Sequence, residues 1–347
     1  MLNLILETEQ QGRVKSYELH MSCDKSIYEA ARDSGFRLPV SCLNGVCHVC
    51  RATLVEGRVR SGSACELVEH HSDDGLGKQI MLCQAWPESD CRIKLNHILG
   101  PGELPVKKVK CQLISVERLK GHVFEVVLQL PAGRLPEFFP GQYLALDVPG
   151  KSDPSYFSIA SRPGLRELTL HIQADPHLNS AVEVISYLQK SAENRTTISL
   201  SLPFGEACLT GNPDQALILM AAGTGFAQMK SIIEHLISSG FKKPISLYWG
   251  VRKKEDMYLQ ELAEQWAEQF ENFSFTPLFA DVEHLAATEH HDQLSDAVLA
   301  DQHDLANAKV FVSGSPKLVF SAMDALTEAG LPESQFFSDV LAYATRD

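Results

Sequence analysis

Residues 41–57 read SCLNGVCHVCRATLVEG, which places Cys42, Cys47 and Cys50 within nine positions. A fourth cysteine, Cys83, lies far downstream in MLCQAWP. The N-terminus, MLNLILETEQ, alternates like a strand and lacks the basic start and small-residue cleavage site of a signal peptide. The longest apolar run, ALILMAAG from residue 216, is too short to cross a bilayer. A cytoplasmic protein without membrane insertion is expected, and its nine cysteines are then free thiols with metal or catalytic uses.

Length and charge narrow the function. A chain of 347 residues accommodates two or three domains. Its net charge of −13 disfavours nucleic acid, whose phosphates require a basic face. Residues 1–98 hold 13 acidic and 11 basic side chains, a net of −2, which leaves −11 for the remainder. Residues 255–304 carry 13 Asp or Glu and no Lys or Arg, a pattern read as a solvated helical face.

Periodicity changes along the chain. LNLILE and VKSYELH read as a strand pair across a turn at Gly12, and SIYEAARDSG as a short helix closed by Gly35. NHILGPGELPVKK, residues 96–108, is rich in Pro and Gly and reads as a linker. Beyond it, KCQLISVERL, VFEVVLQLP and QYLALDVPG are β-type runs suited to a small barrel. From about residue 213 buried strands alternate with amphipathic helices, the pattern of an α/β domain with a mostly parallel sheet. The chain is therefore multidomain, α+β and then α/β.

The cysteine spacing C-x4-C-x2-C with a distant fourth thiolate is that of a 2Fe–2S cluster. One loop wraps the cluster with three ligands while the fourth arrives from another element. Gly45 permits close backbone approach, and loop amides are positioned to donate to the sulfur atoms. Zinc and buried structural cysteine are the alternatives, but zinc usually takes paired C-x2-C knuckles and one such pair is present. Cys23, Cys65, Cys91, Cys111 and Cys208 match no ligand position and read as small apolar residues. The pairs His70–His71 and His290–His291 read as surface histidines rather than a metal site.

With LPVSC before the first ligand and LCQ around the last, residues 1–98 resemble the β-grasp ferredoxin domain of bacterial oxygenase reductases. The remainder resembles the ferredoxin–NADP reductase superfamily, and in particular bacterial NAD(P)H:flavin oxidoreductases and their ferredoxin-fused relatives. The resemblance implies a linker over 99–106, a flavin-binding barrel over 107–211 and a Rossmann-like nicotinamide-binding domain over 212–347. FPGQYLAL, residues 139–146, resembles the family's F-x-P-G-Q-Y strand and brings Tyr143 to the flavin. SYFSIAS, residues 155–161, resembles its R-x-[YF]-S-x-x-S segment. There Phe157 is expected against the isoalloxazine and Ser158 at the flavin N5 edge, with Ile159 beside them. LHIQ supplies His171, HLNSAVEVISYL places Asn179 and Ser180 at a helix N-terminus suited to a flavin phosphate, and LPFGEACL supplies the Gly205 turn.

AAGTGFAQM follows a buried strand and opens a helix, so Gly223, Thr224 and Gly225 form a candidate pyrophosphate turn. YWGVRKKEDMY offers Arg252 to the adenosine, leaving NADH and NADPH both open, and VFVSGSPKLV puts Ser313 where the family usually has a cysteine over the nicotinamide. FFSDVLAY resembles the C-terminal flavin cover, with Leu341 in place of an aromatic and Tyr343 at the second aromatic position. The resemblance implies FAD, with FMN as the alternative.

These parts compose one circuit, in which hydride passes from NAD(P)H to flavin and electrons then pass singly through the cluster to a partner protein. The expected function is a reductase serving an electron-accepting protein such as an oxygenase component, with the chain a monomer. Rivals are a deoxysugar-pathway reductase of the CDP-glucoseen type and a flavin reductase carrying a redox-sensing ferredoxin domain. Two departures bear on flavin affinity: the family arginine aligns with Ser155, and the basic residue common after LHI is Gln173. Each missing charge-assisted hydrogen bond is worth about 1.5–3 kcal/mol. Ser155→Arg is therefore expected to slow flavin loss during gel filtration, and an unchanged flavin content would place phosphate binding elsewhere.

Overall fold

The computed structural model describes residues 1–10, 13–62, 66–70, 77–175, 179–194, 196–280 and 292–346. Gly12, Cys65, His71, His290 and His291 lie outside them. The chain divides into two compact units, residues 1–105 and 106–347.

In the first unit β1 (Leu2–Gln10) and β2 (Arg13–Met21) pair antiparallel and lead into α1 (Ile27–Asp33). Ser26 caps α1: its hydroxyl accepts from Glu29 N, while the Glu29 carboxylate accepts from Ser26 N at 3.0 Å. Two donors that the first turn leaves unpaired are thereby satisfied. After the cysteine loop come β3 (Arg51–Ser61), β4 (Glu66–His70), β5 (Lys78–Met81), β6 (Ala85–Pro87) and β7 (Cys91–Leu95). Among the described residues they form one sheet, β2-β1-β7-β3-β4, with β5 and β6 also on β3 and with β1 parallel to β7. Alternate residues of β1, β3 and β7 (Leu4, Leu6, Leu54, Ile93) bury against Ile27 and Ala31 of α1. His70, expected at the surface, is buried instead, and its cross-strand partner is Gly57, which has no side chain to compete for the space. Cys23, in contrast, is exposed.

Residues 99–105 cluster with this unit. Arg37 and Leu99 exchange backbone hydrogen bonds of 2.9 and 3.1 Å. The Glu103 carboxylate accepts from Tyr17 Oη at 2.8 Å, Lys15 Nζ at 2.6 Å and Gly100 N at 3.0 Å. Burial, aided by the bond to Glu103, pushes the Tyr17 phenol up to about 12, so it stays a donor. Burial raises the Glu103 pKa, but Lys15, Gly100 N and Tyr17 together outweigh it and hold the carboxyl below its usual range. A depressed carboxylate stabilises the fold above its unfolded pKa and loses that contribution as pH falls through its folded one. Glu103→Ala is expected to destabilise the first unit by about 2 kcal/mol at neutral pH. The difference should shrink in acid; thermal unfolding of the two proteins across pH measures it.

The second unit opens with β8 (Lys107–Arg118), β9 (Val123–Gln129), β10 (Tyr143–Leu146), β11 (Ser155–Ser158) and β12 (Glu167–Gln173). Then follow α2 (Asn179–Glu193) and β13 (Thr197–Phe204). The antiparallel order is β11-β10-β13-β8-β9-β12, and an Ile159–Leu170 bridge joins the two ends into a barrel. Inward residues of the strands, with Val184 and Leu188 of α2, fill it.

The rest alternates strand and helix: β14 (Ala216–Ala222), α3 (Phe226–Ser238), β15 (Ile245–Val251), α4 (Gln260–Gln269) and β16 (Phe273–Phe279). It ends with α5 (Gln293–Ala300), β17 (Ala308–Ser313), α6 (Pro316–Glu328) and β18 (Phe336–Phe337). The sheet is parallel in the order β16-β15-β14-β17-β18. Strands β14 and β15 are buried on both faces, which is why they read as continuous apolar runs. Pro277 lies in β16, an edge strand that tolerates the missing donor. Among the described residues no helix is long and apolar enough to cross a membrane.

Candidate functional site

The cysteine loop is built on left-handed backbone. Leu43 and His48 each have φ +60°, and Gly45 has φ +80°. At a non-glycine residue such a conformation costs about 1–3 kcal/mol and persists only where surroundings impose it. The surroundings are visible: Gln84 Nε2 donates to Leu43 O at 3.0 Å, and Leu82 N donates to Cys50 O at 3.1 Å. A Cβ on Gly45 would stand 3.2 Å from Gln84 Cγ. The loop is thus tied to the short turn Leu82–Gln84 that carries the fourth thiol.

The four thiols form two pairs. Cys50 and Cys83, both buried, lie with their sulfurs 3.2 Å apart. Cys47 N donates to Cys42 Sγ at 3.3 Å, and this pair lies nearer the surface. The Cys47 thiol, followed by the amides of Asn44, Cys47 and Val46, pulls the Cys42 thiol down to about 6. Burial and the neighbouring Cys50 thiol push Cys83 up to about 11, against a bond from the Gly45 amide. Among the described residues no three metal-binding side chains converge on one ion. Two thiol pairs with amides directed at sulfur fit a two-iron cluster, each iron taking one pair, better than a single tetrahedral zinc. Cys47→Ser is expected to remove the visible absorption of a 2Fe–2S centre while leaving flavin reduction by NAD(P)H intact; zinc without iron or sulfide in the purified protein would contradict the assignment.

In the barrel, Tyr143 pairs across strands with Ser158, and Leu144 with Phe157. Tyr143 stacks on Phe204 at 5.8 Å, with Tyr156 edge-on to both rings. Strand alternation separates the expected flavin contacts: Tyr156 is half exposed, whereas Phe157 packs against the barrel core. Ile159 is fully buried there, so its side chain serves the framework. Asn179 and Ser180 open α2. Gly205 has φ +94°, and a Cβ there would come within 2.9 Å of both the Tyr143 ring and Asp339 Oδ1. Tyr343 is 60% exposed just beyond the turn Asp339–Ala342. These exposed aromatic faces suit a planar ring system.

A cavity of about 420 Å³ opens at the C-terminal ends of the parallel strands. This is where the sheet order reverses around β14, the usual ligand crevice of such sheets. Gly223 and Thr224 line it, as do Arg252, Tyr258, Gln173 and Ser315. Gly223 has φ +55°, and a Cβ placed there meets nothing within 4 Å, so the space beside it is open to a ligand. Gly225 is constrained from the other side, because a Cβ would lie 2.4 Å from Ser313 O. Trp249 Nε1 donates to Gly223 O at 2.9 Å, and its ring stacks on Phe226 at 3.9 Å, which braces the turn from beneath. Ser315 caps α6, so a second helix N-terminus, positive in its dipole, faces the crevice.

Several residues connect these sites, and of them sequence reasoning singled out His171 alone. Lys230 Nζ donates to Ala160 O at 3.3 Å, and Ser231 Oγ to Ser161 O at 2.8 Å, so α3 grips the end of the SYFSIAS segment. His171 is buried between barrel and nucleotide domain, where desolvation lowers its pKa and keeps it neutral. Its Nδ1 hydrogen-bonds to Tyr258 Oη at 3.1 Å, and burial keeps that phenol protonated. His171 is thus a joint between domains rather than an exposed flavin contact. Asp339 Oδ1 accepts from Glu206 N and Ala207 N at 3.1 and 3.2 Å, and Oδ2 from Gln228 Nε2 at 3.4 Å. Asp339 stands inside FFSDVLAY, but nothing in that string marks it as buried.

Burial pushes Asp339 up from 3.8 to about 6 despite the two amides. A raised folded pKa favours the folded state in acid, and that contribution is lost as pH rises through about 6. Asp339→Asn, always neutral, is expected to gain melting temperature relative to wild type as pH rises through that range, with little gain in acid. A gap independent of pH would contradict this.

Comparison with known proteins fits both halves. Residues 13–88 match the 2Fe-2S iron-sulfur cluster binding domain, and residues 219–324 the oxidoreductase NAD-binding domain. The chain is 29% identical over 319 residues to a reductase component of terephthalate 1,2-dioxygenase from Comamonas sp., covering 92% of each chain. It is 32% identical over 242 residues to the NAD(P)H-flavin reductase of Aliivibrio fischeri, covering 68% of this chain and 99% of the other. The crystal structure of the Amycolatopsis cytochrome P450 reductase shares the fold, with a TM-score of 0.62, 21% identity and 98% of both chains covered. Fold and site define an NAD(P)H-dependent oxidoreductase with a 2Fe–2S cluster and a flavin as its cofactors. The chain belongs to the ferredoxin–NADP reductase superfamily, as a ferredoxin-fused NAD(P)H oxidoreductase whose C-terminal part is of the NAD(P)H-flavin reductase type.

Proposed function

We propose that the protein is the reductase component of an oxygenase system, acting as a cytoplasmic monomer that delivers single electrons from NAD(P)H to its oxygenase partner. The observation that carries this reading is the presence, on one chain, of two thiol pairs in an accessible loop and a nucleotide crevice joined to a barrel. Near-full-length similarity to a dioxygenase reductase component supports it. Bound NAD(P)H supplies a hydride, flavin accepts two electrons and releases them one at a time, and a 2Fe–2S cluster carries one.

The residues divide the work. Gly223, Thr224 and Gly225 receive the pyrophosphate through backbone N–H groups, and Arg252 faces the adenosine side. Ser158 orients the flavin N5 edge, Ser313 lies at the nicotinamide end, and Tyr343 covers the flavin. Asn179 and Ser180 take its phosphate. The bonds from Lys230 and Ser231 keep Ala160 and Ser161, hence the flavin-binding segment, in fixed register with the pyrophosphate turn. Residues 107–211 then form the flavin domain and 212–347 the nucleotide domain, with the ferredoxin domain in 1–105.

Electron order tests the circuit. Gly223→Val puts a side chain into the open space beside the turn and is expected to abolish reduction of ferricyanide and cytochrome c together. A fragment of residues 106–347 should retain ferricyanide reduction, drawn from the flavin, and lose cytochrome c reduction. If that fragment reduced cytochrome c at the full rate, the ferredoxin unit would be a sensor and not a conduit.

A further inference from the structure

A second cavity, of about 200 Å³, lies in the first unit on the cysteine loop. Its polar lining comes from His48, Arg51, Asn96 and His97, all exposed, and its floor from Leu82 and Leu95 beside the buried ligand Cys50. Among the described residues no carboxylate lines it. The deficit extends along the chain: residues 34–55 contain no Asp or Glu, but include Arg37 and Arg51. His48 holds its place at φ +60°, a conformation that glycine would adopt without strain. Retaining an imidazole there is explained if its side chain has work to do. The imidazole Nδ1 lies 3.3 Å from Arg51 Nη2, which leaves most of the guanidinium donors free for a ligand. Val49, which lines the cavity, is 46% exposed, and Leu43 and Val46 of the same loop are 51% and 76% exposed.

We propose that this cavity is the docking socket for a carboxylate side chain of the electron-accepting protein, and that the partner meets the cysteine loop with an apolar patch carrying a protruding Glu or Asp. The inference rests on the reductase reading above and goes beyond it by specifying the partner's chemistry. The lining fits that occupant. Methylenes pack on Leu82 and Leu95, and the carboxylate reaches the guanidinium and the amide and imidazole N–H donors, a charge-assisted arrangement. A fully hydrated inorganic anion would gain nothing from the apolar floor. Val49 in the lining, with exposed Val46 and Leu43 on the same loop, gives a protein partner the water-excluding contact that a small anion does not use. Screening at physiological salt confines repulsion from the chain's net charge of −13 to about 8 Å, so acidic groups far from the socket scarcely oppose an acidic partner. Local lining therefore sets the preference. Seating the partner beside Cys50 also brings it to one of the thiols that hold the cluster.

The test uses the loaded full-length protein and two probe acceptors of opposite charge. These are the soluble haem domain of cytochrome b5, whose haem edge is ringed by carboxylates, and cytochrome c, whose haem edge is ringed by lysines. Arg51→Glu is expected to raise KM for cytochrome b5 about tenfold. KM for cytochrome c should not rise, and ferricyanide reduction and the visible spectrum of the cluster should be unchanged. His48→Gly relieves backbone strain, so folding is not at risk, and should raise KM for cytochrome b5 in the same direction; His97→Leu should do likewise. An unchanged KM for cytochrome b5 in Arg51→Glu with an intact cluster overturns the socket. So does an equal loss with both haem proteins, which would mean a structural role. Saturable binding of inorganic phosphate at micromolar concentration, abolished by Arg51→Glu, would reassign the cavity to a free anion. Loss of ferricyanide reduction in the wild type would instead count against the reductase reading, so the two failures are distinct.

Discussion

Hydride transfer between two bound ring systems tolerates little play, and in this protein one buried helix limits it. Helix α3 starts at the Gly223–Gly225 turn and, within two turns, donates from Lys230 and Ser231 to the carbonyls of Ala160 and Ser161. Both donors are buried, and leaving either carbonyl unpaired would cost about 1–3 kcal/mol. The same helix sends Gln228 to Ala207 O and Asp339, tying in the Gly205 turn and the C-terminal segment. A shift at the nucleotide crevice therefore cannot leave the flavin-binding strand where it was.

The cluster site obeys a different constraint. Four thiols must be offered in two pairs from a loop and a turn, and the loop accepts left-handed backbone at Leu43, Gly45 and His48 to do so. Glycine absorbs this freely; leucine and histidine do not. The strain is offset by the hydrogen bonds from Gln84 and Leu82, both in the turn that carries Cys83. Ligand geometry and loop strain are thus balanced locally, by partners within the first unit.

Much of this was legible in the residue order because it depends on short-range rules. Thiol spacing specifies what a single loop offers to a metal, and a glycine turn between a buried strand and a helix specifies a pyrophosphate site. Apolar periodicity separated the barrel from the parallel sheet, and SIYEAARDSG read as the short helix that is α1. The linker reading drew on composition alone. Pro and Gly were expected to free residues 96–108, yet Glu103 collects donors from Tyr17 and Lys15, more than 80 positions away in sequence, as the separation of 86 between Tyr17 and Glu103 shows.

What only the tertiary structure decided is which side of each element faces what. Phe157 and Tyr156 are neighbours in sequence, but strand alternation sends one to the barrel core and leaves the other half exposed. His171 became a domain joint because Tyr258, 87 positions away, closes over its Nδ1. Asp339 and Lys230 acquired their roles through burial against carbonyls and amides of distant turns. The sequence by itself carried the cluster in its thiol spacing and the pyrophosphate site in its glycine turn, because such chemistry is encoded within a few residues, while the flavin was implied by the family resemblance. Burial, and with it the protonation of Asp339 and His171, is a property of the whole packed chain, because desolvation depends on every neighbour that excludes water.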